Sequence, residues 1–431
     1  MRYVSALTSI HRLLLAWPIL AAALVLGLAT PAAAQPTCSL LQLTDTTTGI
    51  SFNASANTDG SRVAFTSTGQ PVPGGNPEGN TEVFLWDRAT GITQITSTGV
   101  GAENFAPNLN AVGDRFVFIS SADLVPGGNV DGNREIFLWD SVGGFTQITS
   151  TTGANLTAEP DIDAAGNRLV FTTQADLVGG NADGNAEIFL FEVGVGFTQI
   201  TTTTAPSDSR VPAISGDGTR VAFASSADLV PASNADGNTE LFLWDGGVFS
   251  QLTATVDPFT NVNPAANGDG SRVVFQRGLT LPGNAELWVW DQMSGLVQLT
   301  NALDGSSGPS SISSSGDRIA FDFDGDPLPP GNADGNGEVF FIDSLATFTQ
   351  ITTTTGFAGN GAPSLSADGQ RAAFLSSLDL TGGNADGNQE IFLADCAAAS
   401  TLEIPALSTV GLGLLIGLLG LGALAVLHRY R

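Results

Sequence analysis

The segment Asn129 to Asp140 reads NVDGNREIFLWD. A turn rich in Asn, Asp and Gly leads into an acidic residue, then into a short aromatic and aliphatic run closed by another acid. Asp-Gly and Asn-Gly steps tolerate positive φ and bond their own backbone, and the run that follows carries β-favouring side chains. The segment is therefore a turn feeding a strand. Close copies return along most of the chain. Aligned on the end of the strand, their anchors are Trp86, Trp139, Phe191, Trp244, Trp290, Ile342 and Ala394. The spacings are 53, 52, 53, 46, 52 and 52 residues, which makes seven repeats with the fifth shortened.

Each repeat holds four strand-like pieces. In the second, Pro107-Asn108-Leu109 starts a first strand, Arg115 to Ile119 is an apolar second, Glu135 to Asp140 is the third, and Phe145 to Thr149 alternates polar and apolar as a partly exposed fourth. Gly with Asn or Asp punctuates the connections, and no amphipathic helix lies between the termini. Four short strands per period of about 50 residues is the pattern of a β-propeller blade.

Segments such as SGDGTRVAF (Ser215 to Phe223) and NTELFLWD (Asn238 to Asp245), followed by SQLT, resemble the TolB-type propeller repeat, a relative of the WD repeat. The resemblance covers all seven repeats. It implies an all-β, seven-bladed propeller over residues 35–396, although TolB-type propellers commonly have six blades. It implies little about activity, because the fold hosts binding proteins and enzymes alike.

The strand count also indicates how the ring closes. Leu41-Gln42-Leu43-Thr44 precedes any complete repeat, and the last repeat stops after Phe392 to Asp395 without an outer strand of its own. The N-terminal strand is expected to complete the seventh blade and so remove a weak seam. Cys38 and Cys396, the only cysteines, then fall where other blades have the turn joining strands three and four. A disulfide there replaces the missing hairpin and contributes on the order of 4–5 kcal/mol by the chain-entropy estimate. Antiparallel pairing of Phe65 with Phe84 sets Arg62 opposite Asp87. By the repeat, Arg115, Arg168, Arg220, Arg272, Arg318 and Arg371 face Asp140, Glu192, Asp245, Asp291, Asp343 and Asp395. These arginines read as cross-strand ion pairs and not as anion-binding groups.

The ends of the chain read as addresses. Arg2, His11 and Arg12 precede the apolar Leu13 to Leu28, and Ala32-Ala33-Ala34 offers a cleavage site before Gln35, so residues 1–34 are expected to form a signal helix for signal peptidase. After a linker at 397–403, Ile404-Pro405-Ala406-Leu407-Ser408 is followed by Val410 to Leu427 and then His428-Arg429-Tyr430-Arg431. Eighteen apolar residues are long enough to span a bilayer as a helix, with the arginines inside. The order of motif, apolar helix and basic tip resembles bacterial C-terminal sorting signals of the IPTL and PEP-CTERM types, with IPALSTVG here against the usual IPTLSEWG. That resemblance implies an inner-membrane-tethered intermediate, passed to a sorting transpeptidase and on to the cell surface or extracellular matrix. A permanent single-span anchor is the alternative.

Composition narrows the chemistry. The chain has no Lys, both His and both Tyr lie in the terminal segments, and eleven arginines face 42 acidic residues between the terminal arginines, a net −31. Such a body repels nucleic acid and anionic lipid and suits divalent cations. Ser-His-Asp and Cys-His catalysis, Schiff-base Lys and His-ligated zinc are excluded from it. Paired carboxylates, as in glycoside cleavage, are the chemistry left, and a pair buried in the central channel would be needed.

The turn N-x-D-G-N-x-E, seen as Asn129, Asp131, Asn133 and Glu135, places oxygen side chains at alternate positions around a Gly. This resembles part of a calcium loop, and it equally suits a plain turn. It recurs from Asn181, Asn234, Asn332 and Asn384, while the first copy has Glu78 for the Asp and the fifth keeps only Asn284 and Glu286. Asp322, Asp324 and Asp326 in the sixth repeat add three carboxylates that strand alternation would put on one side, making this the first place to look for a metal. Cofactors are therefore none or calcium. Phe105, Asp208, Arg210, Phe259 and Phe357 sit on the loops that vary most between repeats and read as a ligand face. From all this the sequence is read as an exported, non-enzymatic scaffold recognising protein or extracellular glycan, without catalytic residues. The alternatives are a carboxylate-dependent polysaccharide hydrolase or lyase, and a calcium-stabilised adhesin.

Overall fold

A computed structural model describes residues 38–153, 156–279, 285–301, 305–328, 331–356 and 359–396. The signal segment, the sorting segment with Ile404 to Ser408, Asn284 and Phe357 lie outside the described residues. Among those described, no helix is long and apolar enough to cross a membrane, and the flanking helices expected at both ends are not part of what is described.

Cys38–Cys396 folds into seven antiparallel sheets of four strands each, a seven-bladed propeller. In the second blade the strands are Asn104–Leu109, Arg115–Ser120, Glu135–Asp140 and Gly144–Gln147, in that order from the channel outward. The second and third strands of each blade are buried on both faces because each sheet is packed between two neighbours. That is why they read as unbroken apolar runs. The core lies between blades: Val63, Phe65, Phe84 and Trp86 of blade one pack with Ala373, Ile391 and Leu393 of blade seven. Phenylalanines stack across the two middle strands, as Phe65 on Phe84 at 5.6 Å and Phe374 on Phe392 at 5.9 Å.

The expected closure is present. Cys38–Gln42 pairs with Glu390–Cys396, Cys38 stands opposite Cys396, and the two are disulfide-bonded. The outer strand begins three residues earlier than the sequence suggested. Leu43 and Thr44 follow it and bond to Ile391 O.

All seven arginines face the expected acids in register. Arg62 Nε lies 2.7 Å from Asp87, Arg115 Nε 2.6 Å from Asp140, and Arg272 Nε 2.6 Å from Asp291. The structure adds a second role: the same guanidinium donates to a carbonyl of the next blade, as Arg62 to Gly113 O at 3.2 Å and Arg168 to Gly218 O at 3.0 Å. The pairs are only partly buried, so each contributes little. Arg115→Ala should lower stability by roughly 1 kcal/mol in urea unfolding, counting the pair and the carbonyl bond together.

Every innermost strand breaks register once, with a bulge such as that between Phe105 and Asn108. Six of these bulges hold a non-glycine residue at positive φ: Asn53, Ala106, Glu159, Val211, Asn263 and Ala362. A bulge sharpens the twist of a strand, which suits seven strands converging on one axis.

Candidate functional site

The rim turns come first, because the sequence pointed there. The Glu that opens the third strand is sealed inside the ring in six blades: Glu82, Glu135, Glu187, Glu240, Glu338 and Glu390 are buried, while Glu286 is partly exposed. Threonines after the outer strand donate to it, although Glu187 Oε2 is left without a partner. Glu187 Oε1 accepts from Thr203 N at 2.5 Å and Thr203 Oγ1 at 2.7 Å, and Glu135 Oε1 does the same with Thr151. Where the innermost strand of the following blade offers an Asn, that residue adds a third donor, as Asn104 to Glu82, Asn261 to Glu240 and Asn360 to Glu338, the second at 3.0 Å. In the seventh blade the donor is Thr46, from the start of the chain. This Glu therefore anchors one blade to the next. Glu187→Ala should cost about 3 kcal/mol in denaturant unfolding, because Thr203 and its neighbours lose a buried charged acceptor. Asn129 and Asn133 are fixed inside the turn, with Asn129 Nδ2 donating to Asn133 O at 2.9 Å and Asn133 Nδ2 to Thr151 Oγ1 at 2.7 Å. Asp131 is exposed and accepts from Gly153 N.

The three carboxylates of the sixth blade part company. The strand ends at Phe323, so alternation reaches only Asp322. Asp326 accepts from Leu328 N at 3.2 Å and shapes its own loop. Asp322 and Asp324 open onto one groove of about 320 Å³, which they share with Asp334 and Ser306. Asp322 Oδ1 accepts from Ala362 N at 3.0 Å, and Asp324 accepts from Ser306 N. Burial pushes the Asp322 carboxyl up to about 6, and the neighbouring Asp324 charge adds to the rise. Space for it is made by Gly308: a Cβ there would lie 2.0 Å from Asp322 Oδ2. Other blades carry Phe52, Phe105, Ala158, Arg210 or Val262 at the corresponding place, whereas blades six and seven carry Gly308 and Gly361. The coincidence of two glycines with one extra Asp is visible in the aligned repeats. Only the structure shows that they meet.

The channel also holds a carboxylate pair. A cavity of about 560 Å³ is lined by innermost strands, with Glu159 and Asp161 among its residues. Burial pushes Asp161 up to about 6 as well. Its oxygens are occupied, by Ile214 N at 2.8 Å on one side and by Asn108 Nδ2 at 2.8 Å and Ile162 N at 2.9 Å on the other. Glu159 Oε2 accepts from Val211 N and Thr172 Oγ1, both at 2.7 Å. Ser55, Ser311 and Ser364 make the same blade-to-blade link to Leu109 N, Leu365 N and Ala56 N. The channel pair meets the condition of burial yet belongs to this ring of links. The Asp322 groove, with one carboxyl oxygen held by a single amide, is the site open to a substrate.

The expected ligand face is only partly free. Arg134 lies over the Phe105 ring at 5.0 Å, and Arg210 pairs with Asp208 at 2.9 Å. Phe259 is exposed at a strand start. The variable loops do share a rim with the Asp-Gly turns, since Ala205 N bonds Asp183 and Gly356 N bonds Asp334. Among the described residues, no three His, Cys, Asp or Glu side chains gather to hold a metal.

No protein-family model matches the chain, and no curated protein matches it. Solved structures do match. An oligogalacturonate lyase from Vibrio parahaemolyticus is 12% identical with a TM-score of 0.55, covering 84% of this chain and 98% of that one. An oligogalacturonate lyase in complex with manganese is 15% identical with a TM-score of 0.54, covering 85% and 98%. TolB from Acinetobacter baumannii is 17% identical with a TM-score of 0.44 over 68% of this chain and 63% of that one, too low to bear on the number of blades. At these identities the likeness is one of fold. It nonetheless overturns the expectation of a non-enzymatic scaffold. That expectation took the body's lack of His, Lys and Tyr as a reason against an enzyme, and the same architecture over nearly the same length is that of lyases.

Proposed function

We propose that the chain is a carboxylate-dependent polysaccharide-cleaving enzyme whose reacting groups lie in the groove between blades six and seven. Asp322 carries this reading. A carboxyl raised to about 6 by burial stays protonated in mildly acidic water, while Asp324 beside it is exposed. Two adjacent carboxyls in unlike surroundings divide into an acid and a base. Asp322 then protonates the departing glycosidic oxygen, and Asp324 activates water or attacks the sugar directly. Hydrolysis of a neutral glycan suits the site better than elimination from a uronate, because the acidic body repels an anionic chain. With export by the N-terminal segment and retention by the C-terminal one, this activity works at the cell surface.

The test is product analysis of the full-length protein on neutral and uronate polysaccharides at about pH 5 to 6. New reducing ends without unsaturated sugar support hydrolysis. Unsaturated ends assign the groove to a lyase. No cleavage of any polysaccharide removes the reading.

A further inference from the structure

The rim turns contain buried oxygen atoms with no donor. In blade three, Asn181 is 3% exposed and Asn185 6%, and the Oδ1 atom of each is sealed without a hydrogen-bond partner. Neither amide can be turned to cure this. Asn181 Nδ2 is held by Asn185 O at 2.9 Å and Gln174 O at 3.2 Å. Asn185 Nδ2 is held by Ser207 O at 2.7 Å, Thr203 Oγ1 at 2.6 Å and Glu187 Oε1 at 3.1 Å. Exchanging N for O would set an amide oxygen against a carbonyl and a carboxylate. The same two orphaned oxygens occur in blades one, two, four and seven. Buried acceptors without donors are rare in proteins, and five repetitions in one chain call for a physical reason.

Blade six shows where these atoms point. There the inward end of the Asn336 amide is its nitrogen, which donates to Asn332 Oδ1 at 2.7 Å, Asp334 Oδ1 at 3.1 Å and Glu338 Oε1 at 3.2 Å, while its oxygen accepts from Thr354 Oγ1 at 2.9 Å. By the repeat, the same place in blade three is taken by Asn185 Oδ1, because the nitrogen of that amide is turned to Ser207 O, and neither it nor Asn181 Oδ1 has a donor. The Asp is held by its other oxygen: Asp183 Oδ2 accepts from Ala205 N, and Asp334 Oδ2 from Gly356 N. Glycine at positive φ, Gly184 in blade three and Gly335 in blade six, lets the loop fold round.

We infer that each N-x-D-G-N turn whose two asparagines keep these orphaned oxygens is a calcium site, formed by their Oδ1 atoms and one oxygen of the aspartate, and completed by water. The Glu two residues beyond the second Asn is not a ligand; in blades three and four it holds the nitrogen of that Asn and so aims the amide oxygen inward. Oxygen-only ligands at alternate positions select a hard cation, and neutral amides with one carboxylate make a weak site of the extracellular kind. Five turns keep the Asp, and four of them also keep the orphaned oxygens: those of Asp131, Asp183, Asp236 and Asp386. The fifth, that of Asp334, lines the Asp322 groove and is left out, so the inference is independent of catalysis there, and its readouts are binding and melting.

Equilibrium dialysis and calorimetry of the full-length, disulfide-bonded protein should find several calcium ions per chain, up to about four, with Kd on the order of 10⁻⁴–10⁻³ M. About 10 mM calcium chloride should raise Tm by roughly 5–10 °C, and magnesium chloride by much less. The combined variant Asp131→Asn, Asp183→Asn and Asp236→Asn removes three charges at exposed positions and keeps an oxygen for the loop amides. It should fold and bind about three ions fewer. An equal shift with both salts that survives these substitutions would show that divalent ions merely screen the acidic body, and would overturn the inference. So would the absence of calcium binding, or undiminished binding in the variant.

Discussion

Asp322→Asn should lower polysaccharide cleavage by about 10²–10⁴-fold and at the same time stabilise the protein near pH 7. The activity loss follows from the role: an amide cannot donate the proton that the leaving oxygen needs. The stability gain follows from burial. Asp322 has a folded pKa raised from an ordinary 3.8 to about 6, so between these values the native state holds a proton that the unfolded chain releases. Stability therefore falls as pH rises through that window, by about 3 kcal/mol for this one group, and the loss persists above it. The wild-type rate should decline above about pH 6 for the same reason. Asp161 has a like shift, so Asp322→Asn should remove about half of the stability slope between pH 4 and 7 and leave the other half. Urea titrations at several pH values, with reducing-end assays on the same samples, check both. Asp324→Asn should lose activity with little change in the pH slope. A variant Asp322→Asn that cleaves at the wild-type rate would falsify the assignment.

Reduction of the disulfide, or Cys38→Ser with Cys396→Ser, should be the largest stability loss available from a change at the ends of the ring. The bond closes 358 residues of chain, so by the chain-entropy estimate its removal frees the unfolded state by about 6 kcal/mol, above the roughly 4–5 kcal/mol expected from the sequence. In a scanning melt this is a fall in Tm of roughly 10 °C. The ring should still close at 25 °C, because Cys38–Gln42 keeps its ladder with Glu390–Cys396, and Thr46 keeps its bonds to Glu390. Once melted, however, the reduced chain offers an unpaired strand edge, and aggregation should follow earlier than in the oxidised protein. Non-reducing mass spectrometry showing two free thiols, or an unchanged Tm on reduction, would contradict this.

The repeated turn that opens each third strand shows how far sequence reading reached. Its period, its strand, the register of Arg115 on Asp140 and the closure by Cys38 and Cys396 were all legible, because each depends on local alternation and on counting residues. The role of Glu135 was not. Next to Asn129 and Asp131 in sequence it looks like a further ligand, and only its burial against Thr149 and Thr151 makes it an anchor between blades. The groove was half legible: Asp322 and Asp324 stood out as extra acids, but their separation from Asp326 depends on where one strand ends.

The sequence by itself determined a seven-bladed ring and the pairing that shuts it, since period and strand count are properties of the chain in order. The tertiary structure decided which acids are tied into the fold and which keep an oxygen open. Protonation and ligation depend on what surrounds a carboxyl or an amide, and in a propeller those surroundings come from the neighbouring blade, about 50 residues away. Asp161 is bound into the channel wall by Ile214 of the next blade, whereas Asp322 has room beside Gly308 and Gly361 and keeps a free oxygen for a substrate.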